Sequence, residues 1–187
     1  MLKNHINNLL HTIEGKDVSA QLQIIAEFFP ENTVFSTSLG LEDQVITHLI
    51  FAHNIPIEVF TLDTGRMFPE TYETLDNTMR KYKKSIKVYF PNTTRTEQLV
   101  NEKGLFSFYE SVENRKECCG IRKVEPLKRA LQGKSCWVTG IRAAQSANRQ
   151  NMPQIEWDEA NQIIKFHPLL HWSLDEVKGF IKQNFIH

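Results

Sequence analysis

The sequence predicts an α/β fold in which a mostly parallel sheet is flanked by helices. Short apolar segments rich in β-branched and aromatic residues alternate with longer segments of helical periodicity. The intervals between successive strands leave room for a crossover helix, which is how parallel strands are connected. The composition, 41% hydrophobic and 24% charged over 187 residues, is typical of a globular protein. We expect one domain, 1–187, with N-terminal helices over about 1–30 and an α/β core over about 31–187.

The predicted strands follow two N-terminal helices. The first helix is followed by Gly15, the second is capped by Asp17, and Pro30 ends it. Strands are predicted at 33–37, 57–61, 86–90 and 135–140, and a small hairpin is predicted from 154–158 and 163–169.

The remaining helices carry local start or stop signals. One follows the loop 36–43 and runs to about His53. Pro69 suits the first turn of the next, because its missing N–H has no partner to lose there. Gly104 and Gly133 each close a helix, and Ser173 caps the last one.

Charge is uneven although the net charge is zero. Residues 111–150 carry nine Lys or Arg against three Glu. This local excess favours a small anionic ligand, with a solvated basic face as the alternative. Zero net charge argues against nucleic acid as a partner. No segment has the about 18 apolar residues of a membrane span, and three cysteines make no disulfide framework, so we expect a cytoplasmic protein.

Three polar loops follow predicted strands, where open parallel sheets bind ligands. The first, 36–43, offers hydroxyls and Gly40 before a helix, which predicts an oxyanion cradle. It lacks the lysine of a phosphate-binding P-loop. Glu42 and Asp43 also suit the helix dipole, so a capping role is the alternative for them.

The other two loops strengthen this prediction. Loop 61–71 places Asp63 and Arg66 directly after a strand, although an ordinary turn before a helix would look the same. Loop 137–150 contains two arginines, whose forked guanidinium groups suit phosphate or sulfate. Together the three loops and the basic stretch favour a mononucleotide-like site.

The adjacent Cys118 and Cys119 have three interpretations from local sequence. They could form half of a metal site, act as a redox-active pair near cations, or be inert. Cys136 begins a buried-looking strand and is predicted to be a core residue. The seven histidines show no metal-ligand spacing with the pair.

Five segments together identify a resemblance: STSLGLEDQV, FTLDTGRMFPETYE, CCGIRKVEPLKRAL, WVTGIRAAQSANR and KFHPLLHWSLDEV. In this order they resemble the assimilatory sulfonucleotide reductases, the adenylyl-sulfate and phosphoadenylyl-sulfate reductases, over about residues 30–185. The resemblance implies an adenine nucleotide α-hydrolase-like fold. It also implies thioredoxin-dependent reduction of adenylyl sulfate, or its 3′-phosphorylated form, to sulfite and AMP, or adenosine 3′,5′-bisphosphate. The reaction belongs to sulfate assimilation and proceeds through a cysteine S-sulfo intermediate.

The resemblance also implies a substrate site, carried over by motif. The first loop would line the nucleotide, the second would face the adenosine, and the third would frame the opposite side. Lys123 and Arg149 would address the phosphosulfate. The implied substrate-binding residues are Ser36, Ser38, Leu39, Gly40, Leu62, Thr64, Lys123, Gly140, Ile141, Arg142 and Arg149.

Within this family a Cys-Cys pair marks members that carry a four-iron four-sulfur (4Fe-4S) cluster and usually prefer adenylyl sulfate. Cys118 and Cys119 are thereby implied to be cluster ligands. The other two ligands come from a later C-x-x-C, and the nucleophile from a later E-C-G-x-H-like tail. Neither occurs before His187. We therefore expect a truncated form that binds nucleotide, lacks the nucleophilic cysteine and holds little or no cluster.

Two other functions are kept as alternatives. One is a non-catalytic nucleotide-binding remnant. The other is an ATP-α-hydrolase-type adenylating enzyme, although STSLGLED matches the S-G-G-x-D-S loop of such enzymes poorly. The expected partners are the sulfonucleotide and thioredoxin, without nucleic acid or membrane, and a homo-oligomer is kept as an alternative to the monomer.

Overall fold

The computed structural model describes residues 2–146, 149 and 151–186 and contains a six-stranded sheet in the order β3-β2-β1-β4-β6-β5. Its strands are β1 (Thr33–Ser36), β2 (Glu58–Leu62), β3 (Lys87–Tyr89), β4 (Cys136–Val138), β5 (Ile155–Asp158) and β6 (Ile163–Phe166). All neighbouring strands are parallel except β5 and β6, which are antiparallel. The predicted mostly parallel sheet and its terminal hairpin are therefore confirmed.

Eight α-helices accompany the strands in the described ranges. They are α1 (Ile6–Ile13), α2 (Val18–Phe28), α3 (Leu41–Ala52), α4 (Pro69–Tyr82), α5 (Thr93–Lys103), α6 (Val112–Cys119), α7 (Glu125–Leu131) and α8 (Leu174–Gln183). The predicted start signals are confirmed: the Asp17 carboxylate accepts a hydrogen bond from the Ala20 amide at 2.8 Å, and Pro69 opens α4. Ser173 and Glu176 form a capping box at α8. No helix in these ranges has an apolar stretch long enough to cross a bilayer.

Alternating residues of the strands face two different helix layers. Phe35 and Val59 pack into the larger core, which α1, α2, α3 and α8 complete. Val34 and Phe60 point to the other face, where α7 covers them. Cys136 is fully buried in the larger core, as predicted. Helices thus cover both faces of the sheet, and the carboxyl ends of its parallel strands form one rim between the two layers.

The cysteine stretch is helical, which the sequence did not predict. A π-turn at Gly120–Val124 joins α6 to α7, with the Glu125 amide donating to the Gly120 carbonyl. This wider turn makes room for Pro126, whose ring has no N–H and would crowd a regular α-helix. One continuous helical run therefore carries the cysteine pair and the π-turn into α7, which covers one face of the sheet.

Candidate functional site

A cavity of about 650 Å³ opens at the carboxyl ends of β1, β2 and β4. Residues from the loops 36–43, 61–71 and 137–150 form most of its wall, and Lys123 of the π-turn adds to it. Parallel crossovers leave a crevice at this edge of a sheet, which is why ligands commonly bind there. The three loops that the sequence indicated therefore meet around one cavity.

Seven of the eleven residues implied by the resemblance line this cavity: Ser36, Ser38, Leu62, Thr64, Lys123, Gly140 and Ile141. The other four, Leu39, Gly40, Arg142 and Arg149, are not among its lining residues. Leu39 is buried and Gly40 is the N-cap residue of α3. Both residues belong to the turn 36–40 and lie outside the cavity lining.

Three backbone amides of the turn 36–40 already have acceptors within the protein. The Thr37 amide donates to the Phe60 carbonyl at 2.8 Å, and the Leu39 amide donates to the Thr37 hydroxyl at 3.0 Å. The Ser38 amide and hydroxyl both donate to one carboxylate oxygen of Asp43, each at 2.6 Å. Because these three amides already have acceptors, they are not available to a bound anion in this conformation.

Asp43 lies almost fully buried on the first turn of α3 and is one of the residues that line the cavity. Burial raises the pKa of Asp43 above its usual value, the Ser38 hydrogen bonds oppose that effect, and the neighbouring Glu42 charge adds to it. The hydrogen bonds that its carboxylate accepts in the described ranges come from Ser38, which precedes α3. Asp43 therefore fixes the shape of the turn that precedes its own helix.

Glu42 pairs with Arg142 across the cavity wall. Nη2 and Nε of Arg142 each lie 2.7 Å from one carboxylate oxygen of Glu42. Burial disfavours the charged carboxylate, but backbone hydrogen bonding and the Arg142 guanidinium outweigh it, so the pKa of Glu42 is lowered. Arg142 is buried and donates also to the Trp172 carbonyl at 3.3 Å. Protein groups therefore hold the Arg142 guanidinium next to the cavity, and Arg142 is not one of its lining residues.

Gln145 connects this ion pair to Arg149. Its amide nitrogen donates to Glu42 at 3.1 Å, and its carbonyl oxygen accepts from Arg149 Nη1 at 3.0 Å. Gln145 lines the cavity, whereas Arg149 lies beyond it. The Arg149 guanidinium is thus held beside the cavity by Gln145.

Three cationic side chains line the cavity, and protein groups already engage two of them. Arg66 donates to the Leu105 carbonyl, and its guanidinium lies 4.7 Å from the ring centre of Phe108. Lys165 pairs with Asp158 at 2.8 Å and lies over the Trp137 ring. Lys123 is exposed and has no ion pair or hydrogen bond within the described ranges. It is the cation best placed to receive an anionic ligand.

Arg122 supports the loop 61–71 without lining the cavity, and sequence reasoning missed it. It is 7% exposed, and its Nη1 donates to the Thr64 carbonyl at 2.7 Å. Its Nε is buried without a hydrogen-bond partner in the described part of the chain. Arg122 therefore ties the π-turn to the loop 61–71, next to Gly65. An arginine in a basic stretch is ordinarily predicted to be exposed, so no local signal could have indicated this role.

Trp137 was also missed, although the periodicity of its strand carries a signal. Its indole nitrogen donates to the Ser36 hydroxyl at 2.8 Å, and both residues line the cavity. Trp137 of β4 and Thr139, which directly follows β4, are two residues apart in an extended segment, so their side chains share one face. Thr139 also lines the cavity, so that alternation points to Trp137.

The cysteine pair ends α6, with Cys118 half-buried and Cys119 exposed. Neither cysteine lines the cavity. Iron–sulfur clusters take four protein ligands, and no third His, Cys, Asp or Glu joins the pair within the residues that the structure describes. The described residues therefore do not form a complete cluster site.

Burial raises the pKa of the Cys136 thiol, which keeps that thiol protonated.

The chain is similar in sequence to known proteins. Residues 32–187 match the phosphoadenosine phosphosulfate reductase domain family. An adenosine 5′-phosphosulfate reductase from Allochromatium vinosum is 45% identical over 175 residues, covering 94% of this chain and 68% of the relative. Another from Sinorhizobium fredii is 43% identical over 169 residues, covering 90% and 67%. The chain thus spans about two thirds of the length of these curated relatives.

A solved structure has the same arrangement of elements. The crystal structure of a phosphoadenylyl-sulfate reductase from Candida auris, in complex with phosphate, matches with a TM-score of 0.83 at 29% sequence identity. The match covers 99% of this chain and 88% of that one. The mostly parallel sheet flanked by helices is therefore the fold of that protein as well.

Proposed function

Because the chain belongs to the phosphoadenosine phosphosulfate reductase domain family, we propose that its cavity binds adenylyl sulfate, or the 3′-phosphorylated form, for reduction to sulfite. The other product is AMP, or adenosine 3′,5′-bisphosphate. Thioredoxin is the proposed electron donor. We propose the cytoplasm as the compartment of the protein, because three cysteines, two of them adjacent, make no disulfide framework.

The observation that carries this proposal is the placement of Lys123. Its ammonium group lines a cavity whose other cations are engaged by protein groups. A phosphosulfate is strongly anionic, and a charge-assisted hydrogen bond from Lys123 would be the main direct contact to it. Leu62, Thr64 and Ile141, which line the same cavity, supply a partly apolar wall for the adenosine.

The proposed chemistry is transfer of the sulfo group to a thiolate. The thiolate attacks the sulfur atom, the bond between sulfur and the bridging oxygen breaks, and the nucleotide leaves with the electron pair of that bond. A thioredoxin thiolate then attacks the cysteine sulfur, and sulfite leaves, which gives a mixed disulfide between the two proteins. The second thioredoxin thiolate attacks the thioredoxin sulfur of that bond, which forms the thioredoxin disulfide and releases the cysteine thiolate. Lys123 would stabilise the negative charge that develops on the departing phosphate.

None of the three cysteines is the proposed nucleophile. Cys136 is fully buried with its thiol pKa raised, and Cys118 and Cys119 do not line the cavity. We propose that the reacting thiolate comes from the tail motif implied by the family resemblance. Cys118 and Cys119 would then be two of the four ligands of a 4Fe-4S cluster in the complete protein. Iron analysis after anaerobic reconstitution tests this count, because stable full iron occupancy in the 187-residue chain would contradict it.

Isothermal titration calorimetry of the 187-residue chain tests the proposed substrate. We expect adenylyl sulfate to bind more tightly than ATP, and more tightly than the 3′-phosphorylated form, as the cysteine pair suggests. Tighter binding of ATP than of both sulfonucleotides would overturn the proposal and favour an adenylating enzyme. Tighter binding of the 3′-phosphorylated form would agree with the reductase function but reverse the expected substrate preference.

A further inference from the structure

One carboxylate, that of Asp43, organises two walls of the cavity at once. On one side it accepts both hydrogen bonds from Ser38, amide and hydroxyl, at 2.6 Å. On the other side it lies against Gly140, at the end of β4. A buried carboxylate is costly unless its oxygens are hydrogen-bonded, so this placement indicates a specific role.

The close approach to Gly140 leaves no room for a side chain. A Cβ atom added at Gly140 would lie 1.9 Å from the Oδ1 atom of Asp43 and 3.1 Å from its Cγ atom. Gly140 is not among the glycines with positive φ, so its backbone conformation alone does not require glycine. The carboxylate, and not the local backbone, is the reason for glycine at this position.

The neighbouring residue reinforces the same connection. Glu42 precedes Asp43 in α3 and pairs with Arg142, two residues after Gly140. Two successive carboxylates of α3 therefore reach the segment 140–142, while one of them also holds Ser38. The first turn of α3 therefore contacts both the turn that follows β1 and the segment that follows β4.

We propose that Asp43 is a positioning residue for ligand binding, which holds the turn 36–40 and the segment 140–142 at the separation the cavity requires. Asp43 also lines the cavity, but the role proposed for it acts through Ser38 and Gly140 and not through a contact with the ligand. This inference depends on the proposed function only in those experiments that use adenylyl sulfate as the ligand.

A double-mutant cycle on the 187-residue chain tests this coupling. The variants are Asp43→Ala, Gly140→Ala and the double variant, and calorimetry gives the Kd for adenylyl sulfate. We expect Gly140→Ala to raise Kd roughly tenfold in the wild-type background, equivalent to about 1.4 kcal/mol. In the Asp43→Ala background the added methyl group has room, and the same change should alter Kd by less than about twofold. Equal effects in both backgrounds would overturn the proposal.

Two controls separate positioning from general damage. Gly179→Ala adds a Cβ on α8 with nothing within 4 Å, so its Kd should match wild type. Asp43→Asn keeps an oxygen acceptor for Ser38 and should bind more like wild type than like Asp43→Ala. If Asp43→Asn is as impaired as Asp43→Ala, the negative charge matters instead of the hydrogen bonds, and the positioning role is wrong.

A measurement on the wild-type chain applies even if these variants fail to fold. The Ser38 amide should exchange its hydrogen slowly in the ligand-free protein, because Asp43 holds it. Exchange as fast as in an unstructured peptide would overturn the inference. If the wild type binds no adenylyl sulfate while this amide is protected, the proposed substrate is wrong and the positioning of the turn stands.

Discussion

At the scale of single residues, Lys123 differs from the other cations of the cavity because no protein group in the described ranges engages it. We expect Lys123→Ala to raise the Kd for adenylyl sulfate roughly 10- to 100-fold, since a hydrogen bond to a charged group contributes about 1.5–3 kcal/mol. Calorimetry measures the change. Lys128→Ala removes the same charge from an exposed position on α7 and is the matched control. Equal losses in both variants would show that bulk charge, not a contact, governs binding.

Glu42 leads to a prediction about pH. Its pKa in the folded protein lies below the ordinary value of 4.5. The ion pair with Arg142 therefore stabilises the fold above the unfolded pKa, and this stability is lost as pH falls through the folded value. Urea unfolding between neutral and acidic pH should show a smaller loss of stability in Glu42→Gln than in wild type. Glu97→Gln, an exposed carboxylate on α5, is the control and should leave the pH profile unchanged.

At the scale of elements, those with local signals were predictable and those without were not. The caps Asp17 and Ser173 and the opening Pro69 marked helix ends in the sequence itself. Helix α6 has no buried residue, so it has no apolar stripe to indicate a helix. Its continuation into α7 was hidden as well, because Pro126 ordinarily marks a helix start and only the π-turn accommodates it.

Substitution of glycine by alanine should have opposite effects on stability at two positions, Gly179 and Gly133. Gly179 lies inside α8 with a negative φ, so Gly179→Ala should stabilise the protein by about 0.5–1 kcal/mol. Gly133 follows α7 with φ of 75°, a conformation that disfavours alanine. Gly133→Ala should therefore destabilise by about 1 kcal/mol. Neither added Cβ meets an atom within 4 Å, so packing does not confuse the comparison. Urea unfolding of both variants checks the signs, and a shared sign would contradict the backbone explanation.

At the scale of the whole molecule, the general position of the site was predictable and its internal pairing was not. Parallel strands bring their carboxyl ends to one rim, so the three loops had to meet there. The bond between Arg142 and Glu42 joins residues 100 positions apart, and the one between Arg122 and Thr64 spans 58. Such pairs depend on how the helices pack against the sheet. The periodicity of apolar residues in the sequence does not encode that packing. The availability of Lys123 is equally a property of the assembled fold.

The same assembly predicts that ligand binding and folding are linked. The lining residues run from Ser36 to Lys165, so the cavity exists only when the sheet is complete. A ligand that binds only the folded state at about 100 times its Kd should raise the free energy of unfolding by about 2.7 kcal/mol. Urea unfolding with and without adenylyl sulfate measures this, and Lys123→Ala at the same ligand concentration should show a smaller rise. Binding without any gain in stability would mean that the ligand also binds the unfolded chain, and hence that this cavity is not its site.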